Sequence, residues 1–206
     1  YFQGMITEFL LKKKLEEHLS HVKEENTIYV TDLVRCPRRV RYESEYKELA
    51  ISQVYAPSAI LGDILHLGLE SVLKGNFNAE TEVETLREIN VGGKVYKIKG
   101  RADAIIRNDN GKSIVIEIKT SRSDKGLPLI HHKMQLQIYL WLFSAEKGIL
   151  VYITPDRIAE YEINEPLDEA TIVRLAEDTI MLQNSPRFNW ECKYCIFSVI
   201  CPAKLT

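Results

Sequence analysis

The run Ser113-Ile114-Val115-Ile116-Glu117-Ile118-Lys119-Thr120 decides how this chain folds. Its β-branched residues make a strand, and a run this apolar belongs near the centre of a sheet. Two charges interrupt it. Side chains alternate along a strand, so Glu117 and Lys119 point to the same face. A buried carboxylate and ammonium are costly unless each has a partner or a task. Glu45-Tyr46-Lys47 and Glu191-Cys192-Lys193 repeat the Glu-x-Lys pattern, but only the middle copy sits in an apolar strand. The bland alternative is a surface-facing strand with an ordinary ion pair.

Working outward, Lys99-Gly100-Arg101-Ala102-Asp103-Ala104-Ile105-Ile106 is a second strand-like run with a single acid. Asn108 to Gly111, Asn-Asp-Asn-Gly, is a strong turn signal, so the two runs form a hairpin. A five-residue loop, Asn108 to Lys112, sets Asp103 opposite Glu117 on one face. A four-residue loop would turn Asp103 away unless a bulge restored the register. The same-face register is the expectation. Two carboxylates about 4 Å apart at an effective dielectric near 20 repel by about 4 kcal/mol. A divalent cation removes that penalty, and hard oxygen ligands suit Mg²⁺ or Mn²⁺. With Lys119 placed to orient a water, the set points to phosphodiester hydrolysis.

The chain has 206 residues, and Tyr-Phe-Gln-Gly at positions 1–4 reads as a tag scar before a native Met5. With 27 Lys plus Arg against 29 Asp plus Glu, the formal charge of −2 excludes wholesale electrostatic capture of nucleic acid, so any such binding needs a local patch. No apolar run reaches the roughly 18 residues of a membrane span, and no secretory signal is visible. A cytoplasmic chain is expected.

Residues 5–25 read as an amphipathic helix with His18 and His21 on its solvated side. Thr31-Asp32 looks like a helix cap before Cys36 and a knot of arginines, Arg35, Arg38 and Arg39. Such a knot is usually a solvated face; beside a cysteine it is also a candidate phosphate contact. Residues 58–73 read as a largely buried helix ended by Gly75. Gly62, His66 and Glu70 stack on one face of it. Gly62 admits another backbone, and Glu70 is a candidate partner for the His66 ring. Residues 80–91 alternate as a strand, and 121–130 form a polar loop with Arg122 and Lys125. His131 to Lys147 reads as a buried helix stopped by Gly148, with Gln135 and Tyr139 sharing a face. Two strands (149–154 and 158–163) and an amphipathic helix (167–184) complete an α/β fold of mixed α+β character.

Cys192-Lys193-Tyr194-Cys195, Cys201-Pro202 and the distant Cys36-Pro37 leave no cysteine spare. A disulfide framework fits a cytosolic chain poorly. Four thiolates would serve zinc or a [4Fe–4S] cluster, and the uneven one-plus-three spacing leans toward iron–sulfur. Either would tie residue 36 to residue 201.

Together these motifs resemble the CRISPR-associated RecB-like exonucleases of the PD-(D/E)XK superfamily. The likeness runs from about Thr31 to Pro202: a His motif at Gly62 to His66, Gly-Arg-x-Asp at 100–103, Glu-x-Lys at 117–119 and Gln-x-x-x-Tyr at 135–139, enclosed by one cysteine before and three after. The resemblance implies a restriction-endonuclease-like core, a central mixed sheet flanked by helices, over residues 58–165. An N-terminal helical region (5–57) would supply Cys36, and 166–206 would hold the last helix and the cluster segment. It implies an Mg²⁺- or Mn²⁺-dependent exonuclease trimming single-stranded DNA ends for spacer insertion. The metal would be held by His66, Asp103, Glu117 and the Ile118 carbonyl, with Lys119, Gln135 and Tyr139 completing the catalytic set. Cys36, Cys192, Cys195 and Cys201 would hold [4Fe–4S]. Arg35, Arg38, Arg39, Arg122 and Lys125 would line the DNA groove. CRISPR integrase proteins become candidate partners, and homo-oligomerisation is left open. The rivals are a structure-specific endonuclease and a non-catalytic iron–sulfur DNA-binding subunit.

Overall fold

The computed structural model describes residues 4–20, 23–108 and 110–205; His21 and the first three positions of the expected tag scar lie outside them. Its elements are α1 (Met5–Ser20), β1 (Thr27–Tyr29), α2 (Val30–Leu33), α3 (Pro37–Glu45), α4 (Lys47–Ile51), α5 (Pro57–Phe77), β2 (Glu80–Val91), β3 (Lys94–Arg107), β4 (Ser113–Thr120), α6 (Ile130–Phe143), β5 (Lys147–Ile153), β6 (Ile158–Ile163) and α7 (Glu169–Met181). Two 3₁₀ turns, Glu191–Tyr194 and Ile196–Val199, carry the last cysteines.

The central hairpin has the expected register. Arg107 pairs with Ser113 and Ala104 with Ile116, so five residues make the loop. Its geometry follows from composition: Gly111 takes φ +73°, and the Asn108 side chain accepts from the Lys112 backbone N–H at 2.8 Å. β4 then runs parallel to β5, and β5 antiparallel to β6, giving the mixed sheet expected from the sequence.

The feature that makes a site is a fork along β3. β2 pairs with one edge of β3 from Lys94 to Ile105. The opposite edge is shared: β1 takes Lys97 to Lys99, and β4 takes Ala104 to Arg107. Gly100 to Asp103 lie between the two partners. There the Asp103 carboxylate accepts the Ile118 backbone N–H at 2.6 Å, and the Arg101 carbonyl accepts the Tyr139 hydroxyl at 2.9 Å. Side chains thus satisfy backbone groups that a regular ladder would have paired.

One face of the sheet packs α2, α6 and α7 around Ile98, Ile105, Val115, Leu136, Leu140 and Ile172. The other holds a smaller core of Leu73, Ala79, Ala104, Ile116, Ile118 and Val151 beneath α5. Gly100 is the tight point of the larger layer. A Cβ there would sit 2.7–2.8 Å from Tyr139, Leu142 and Val30 at once. Gly100→Ala should therefore cost about 1–3 kcal/mol through forced repacking, read as a lower urea midpoint with an unchanged m-value.

Several expectations need correction. The helix around His66 is not largely buried: Leu61, Ile64, Leu67, Val72 and Phe77 are exposed, and only Glu70 and Leu73 are buried. Its apolar residues encircle the helix, whereas a sheet covers one side. It ends at Asn78 in the left-handed region, not at Gly75. The Gly62 Cβ position meets the Thr120 side chain at an ordinary 3.5 Å, not another backbone. Tyr29 and Cys36 cap α2 and α3, while Asp32 turns inward to Arg35 at 2.6 Å. α6 stops at Phe143 with Ser144 at φ +51°; Gly148 belongs to β5, where the Leu136 side chain leaves no room for a Cβ. The N-terminal segment, read as helical, also contributes β1.

Candidate active site

Glu117 and Lys119 leave β4 on the face toward α6, as alternation requires. The Lys119 Nζ lies 2.7 Å from the Glu117 Oε1. Gln135, on α6, donates to the same oxygen at 2.7 Å. The other oxygen, Oε2, is buried and has no hydrogen-bond partner. An anionic oxygen left bare in the interior calls for a cation or a proton. Tyr139, one turn after Gln135, receives a long contact from it at 3.4 Å and donates to the Arg101 carbonyl. Gln135 therefore acts on Glu117, and Tyr139 on the forked strand.

From the opposite layer, α5 brings His66 and Glu70 to the fork. The His66 Nδ1 stands 3.6 Å from Asp103 Oδ1. Ligand atoms of His66, Glu70 and Asp103 all lie within 4.8 Å of one another, and among the described residues this is the group so arranged for a metal ion. Glu70 is thus closer to the centre than its expected supporting place. The i, i+4 spacing from His66 was the signal for it. The Ile118 side chain is buried, and its backbone N–H holds Asp103.

The electrostatics follow from burial. Glu117 is pushed up to about 7, chiefly by loss of solvent, with Lys119 opposing and Asp103 adding to the rise. The hydrogen bond to Asp103 raises His66 above its ordinary range. Glu70 is raised by burial and by the nearby Glu82 and Asp103 charges. In the metal-free protein, folding takes up a proton at Glu117 between its unfolded value of 4.5 and about 7. That contribution to stability is present below the lower value and is lost as pH rises through the upper one. Glu117→Gln should therefore stabilise the chelator-treated protein above neutral pH by on the order of 2–3 kcal/mol, and change little under acid conditions. Thermal unfolding at two pH values in EDTA measures it; equal shifts at both would refute the assignment.

The basic candidates divide. Arg35 pairs with Asp32 at 2.6 Å and with Glu43 at 2.8 Å, and Arg39 with Glu43 and Gln53. Arg38 keeps a buried Nε without a partner. Arg122 and Lys125 stand exposed in the loop after β4.

Cys36, Cys192, Cys195 and Cys201 line one small cavity, with Arg39 and Glu191 in its wall. Glu191 joins the two cysteine segments, accepting the Cys36 N–H at 2.6 Å and the Phe188 N–H at 2.8 Å. Burial raises the Cys36 and Cys195 thiols. Among the described residues, the cysteines do not form a group arranged to hold a metal ion as His66, Glu70 and Asp103 do.

Missed altogether in the sequence was an aromatic group at the start of α6. His131 and His132 contact each other, and Phe188 and Trp190 close over His131. Its two halves lie over fifty residues apart and follow no periodicity.

A forked mixed sheet carrying Asp103 and Glu-x-Lys at its break defines a metal-dependent nuclease fold, and this chain belongs to the PD-(D/E)XK nuclease superfamily, whose sequence model matches residues 74–202. The match covers Asp103, Glu117 and Lys119, and His66 lies before it. Among solved structures, that of SSO0001 is similar over 100% of both chains, at 98% identity and a TM-score of 0.96. An alkaline exonuclease (LHK-Exo) from Laribacter hongkongensis shares the fold at a TM-score of 0.50 and 13% identity, over 85% of this chain and 90% of its own. Among the described residues, no helix is long and apolar enough to cross a membrane.

Proposed function

We propose that this chain is an Mg²⁺- or Mn²⁺-dependent deoxyribonuclease that hydrolyses phosphodiester bonds from the ends of single-stranded DNA, trimming fragments for CRISPR spacer acquisition in the cytoplasm beside the integrase proteins. The observation that carries the hydrolytic reading is the buried, unpartnered Glu117 Oε2 in a site that Asp103, His66 and Lys119 also enter. The donors fit a hard divalent ion: the carboxylate oxygens of Glu70, Asp103 and Glu117 and one imidazole, that of His66, with the Ile118 carbonyl proposed beside them. Such an ion, when bound, lowers the pKa of a water and offsets charge growing on the phosphate.

The chain's own groups do the rest. Lys119 holds the attacking water and takes up its position from Glu117. Gln135 fixes the Glu117 carboxylate, and Tyr139 fixes the strand that carries Asp103. Arg122, Lys125 and Arg38 meet the phosphates; Arg35 and Arg39 brace the cysteine region through their ion pairs.

The four cysteines are proposed to hold [4Fe–4S]. The four line one cavity, and their uneven one-plus-three spacing along the chain supports the cluster over a zinc tetrathiolate.

The test is digestion of end-labelled linear and circular single strands with Mn²⁺ or with EDTA. An exonuclease shortens the linear strand, spares the circle and stops in EDTA. Cleavage of the circle would point to an endonuclease, and binding without cleavage to a DNA-binding module.

A further inference from the structure

The aromatic group beside the site has no part in the chemistry above. Phe188 and Trp190 lie nearly parallel, 13° between planes with centroids 5.9 Å apart. Trp190 also meets the His131 ring at 4.9 Å, and His131 meets His132 at 4.1 Å. Trp190 is 44% exposed, whereas the chain's other tryptophan, Trp141, is 8% exposed. A single exposed tryptophan is ordinary. This one is backed by a second ring and touches the His131 ring, whose buried Nδ1 has no hydrogen-bond partner.

Position gives the group a use. His131 stands four residues, about 6 Å along the helix axis, before Gln135, which grips the Glu117 carboxylate. Burial first, and the Lys119 charge second, keep His131 and His132 uncharged near neutral pH. The surface therefore offers flat, neutral faces beside a cationic and acidic site. Phosphates have no reason to settle there; nucleobases do, since every base has a π-face. The loop is also pinned: Glu191, next to Trp190, accepts from Phe188 and from Cys36. A rigid, partly exposed ring loses little entropy on stacking.

We infer that Trp190, backed by Phe188 and flanked by His131, is a shelf on which a nucleobase adjoining the scissile phosphate stacks, so that the cysteine-bearing segment and the catalytic strand grip one DNA strand together. This rests on the single-strand nuclease reading. Trp190 is a positioning residue: it places the strand and takes no part in bond breaking.

Full-length protein carrying Trp141→Phe leaves Trp190 as the single tryptophan, and its fluorescence should be quenched on titration with a short oligodeoxythymidylate in the absence of cleavage-supporting metal. Trp190→Ala should weaken that binding by about 10- to 100-fold, with Trp190→Phe recovering most of it. An abasic nucleotide walked along the strand should weaken wild-type binding at one position by a similar factor and add nothing in Trp190→Ala. In Mn²⁺ digestions the loss should fall mainly on KM. Unquenched fluorescence, or an abasic penalty that is the same in both proteins, overturns the shelf. If Trp190→Ala fails to fold, quenching and the abasic walk on proteins that retain Trp190 still decide it. A wild-type protein that binds but never cleaves would overturn the nuclease reading instead, and cleavage indifferent to Trp190 would overturn only the shelf.

Discussion

Lys119→Ala should lower the rate of DNA cleavage by about 10³-fold while leaving strand affinity within severalfold. Lys119 is the site's ammonium, held 2.7 Å from Glu117 by a strand whose preceding residues, Val115 to Ile118, are buried. Removing it takes away the group proposed to orient the water. It also takes away the charge opposing the rise of Glu117, so the carboxylate binds its proton more firmly. Protons and metal compete for that oxygen. The assay therefore belongs above neutral pH at saturating Mn²⁺, where a metal-affinity defect is overcome and the positioning defect remains. Lys119→Arg should not rescue: a guanidinium is larger, planar and permanently charged, and cannot sit where a point charge meets one carboxylate oxygen. Glu117→Ala should fail at least as badly, and extra metal should not restore it. A Lys119→Ala protein that cleaves within tenfold of wild type would mean that another group handles the water.

The hairpin was legible because its signals are local. Asn108 to Gly111 dictates a turn, the turn length dictates the register, and the register puts Asp103 and Glu117 on one face. What could not be read was the fork. Three residues, Thr27 to Tyr29, form β1, too short to show periodicity, yet by occupying part of the β3 edge they leave Gly100 to Asp103 beside no strand on that side. At that opening His66 and Glu70 from α5 meet Asp103, whose charge also reaches Glu117 on β4. The His66 helix misled for a related reason: its apolar residues run around the whole circumference, and periodicity alone does not tell which of them a sheet will cover. Helix ends at Asn78 and Ser144 were missed because both residues take the left-handed conformation that sequence reading awards to glycine. The aromatic group around Trp190 was invisible for want of any sequence rule joining residues 131 and 190.

On the proposed iron–sulfur reading, Cys36→Ser should produce the largest loss of stability, and the same change should release iron and inorganic sulfide from protein purified without air. Cys36 and Cys201 lie nearly the whole chain apart, and a link between them removes much of the freedom of the unfolded state. In the chain-entropy picture a loop of about 100 residues is worth about 4.7 kcal/mol, and this loop is longer. For a chain of this size each kcal/mol moves Tm by about 2–4 °C, so a fall of about 10–20 °C is expected. The fall should stop short of complete unfolding, because Glu191 joins the same segments through the Cys36 and Phe188 N–H groups with no help from a cluster. Cys36→Ser combined with Glu191→Ala should therefore lose more than the two separate changes predict, since each alone leaves the other clasp in place. Strict additivity would deny that the two clasps share a load. Retained iron and an unmoved Tm in Cys36→Ser would remove Cys36 from the cluster altogether. Zinc in place of iron would leave the clasp standing and change only what it holds.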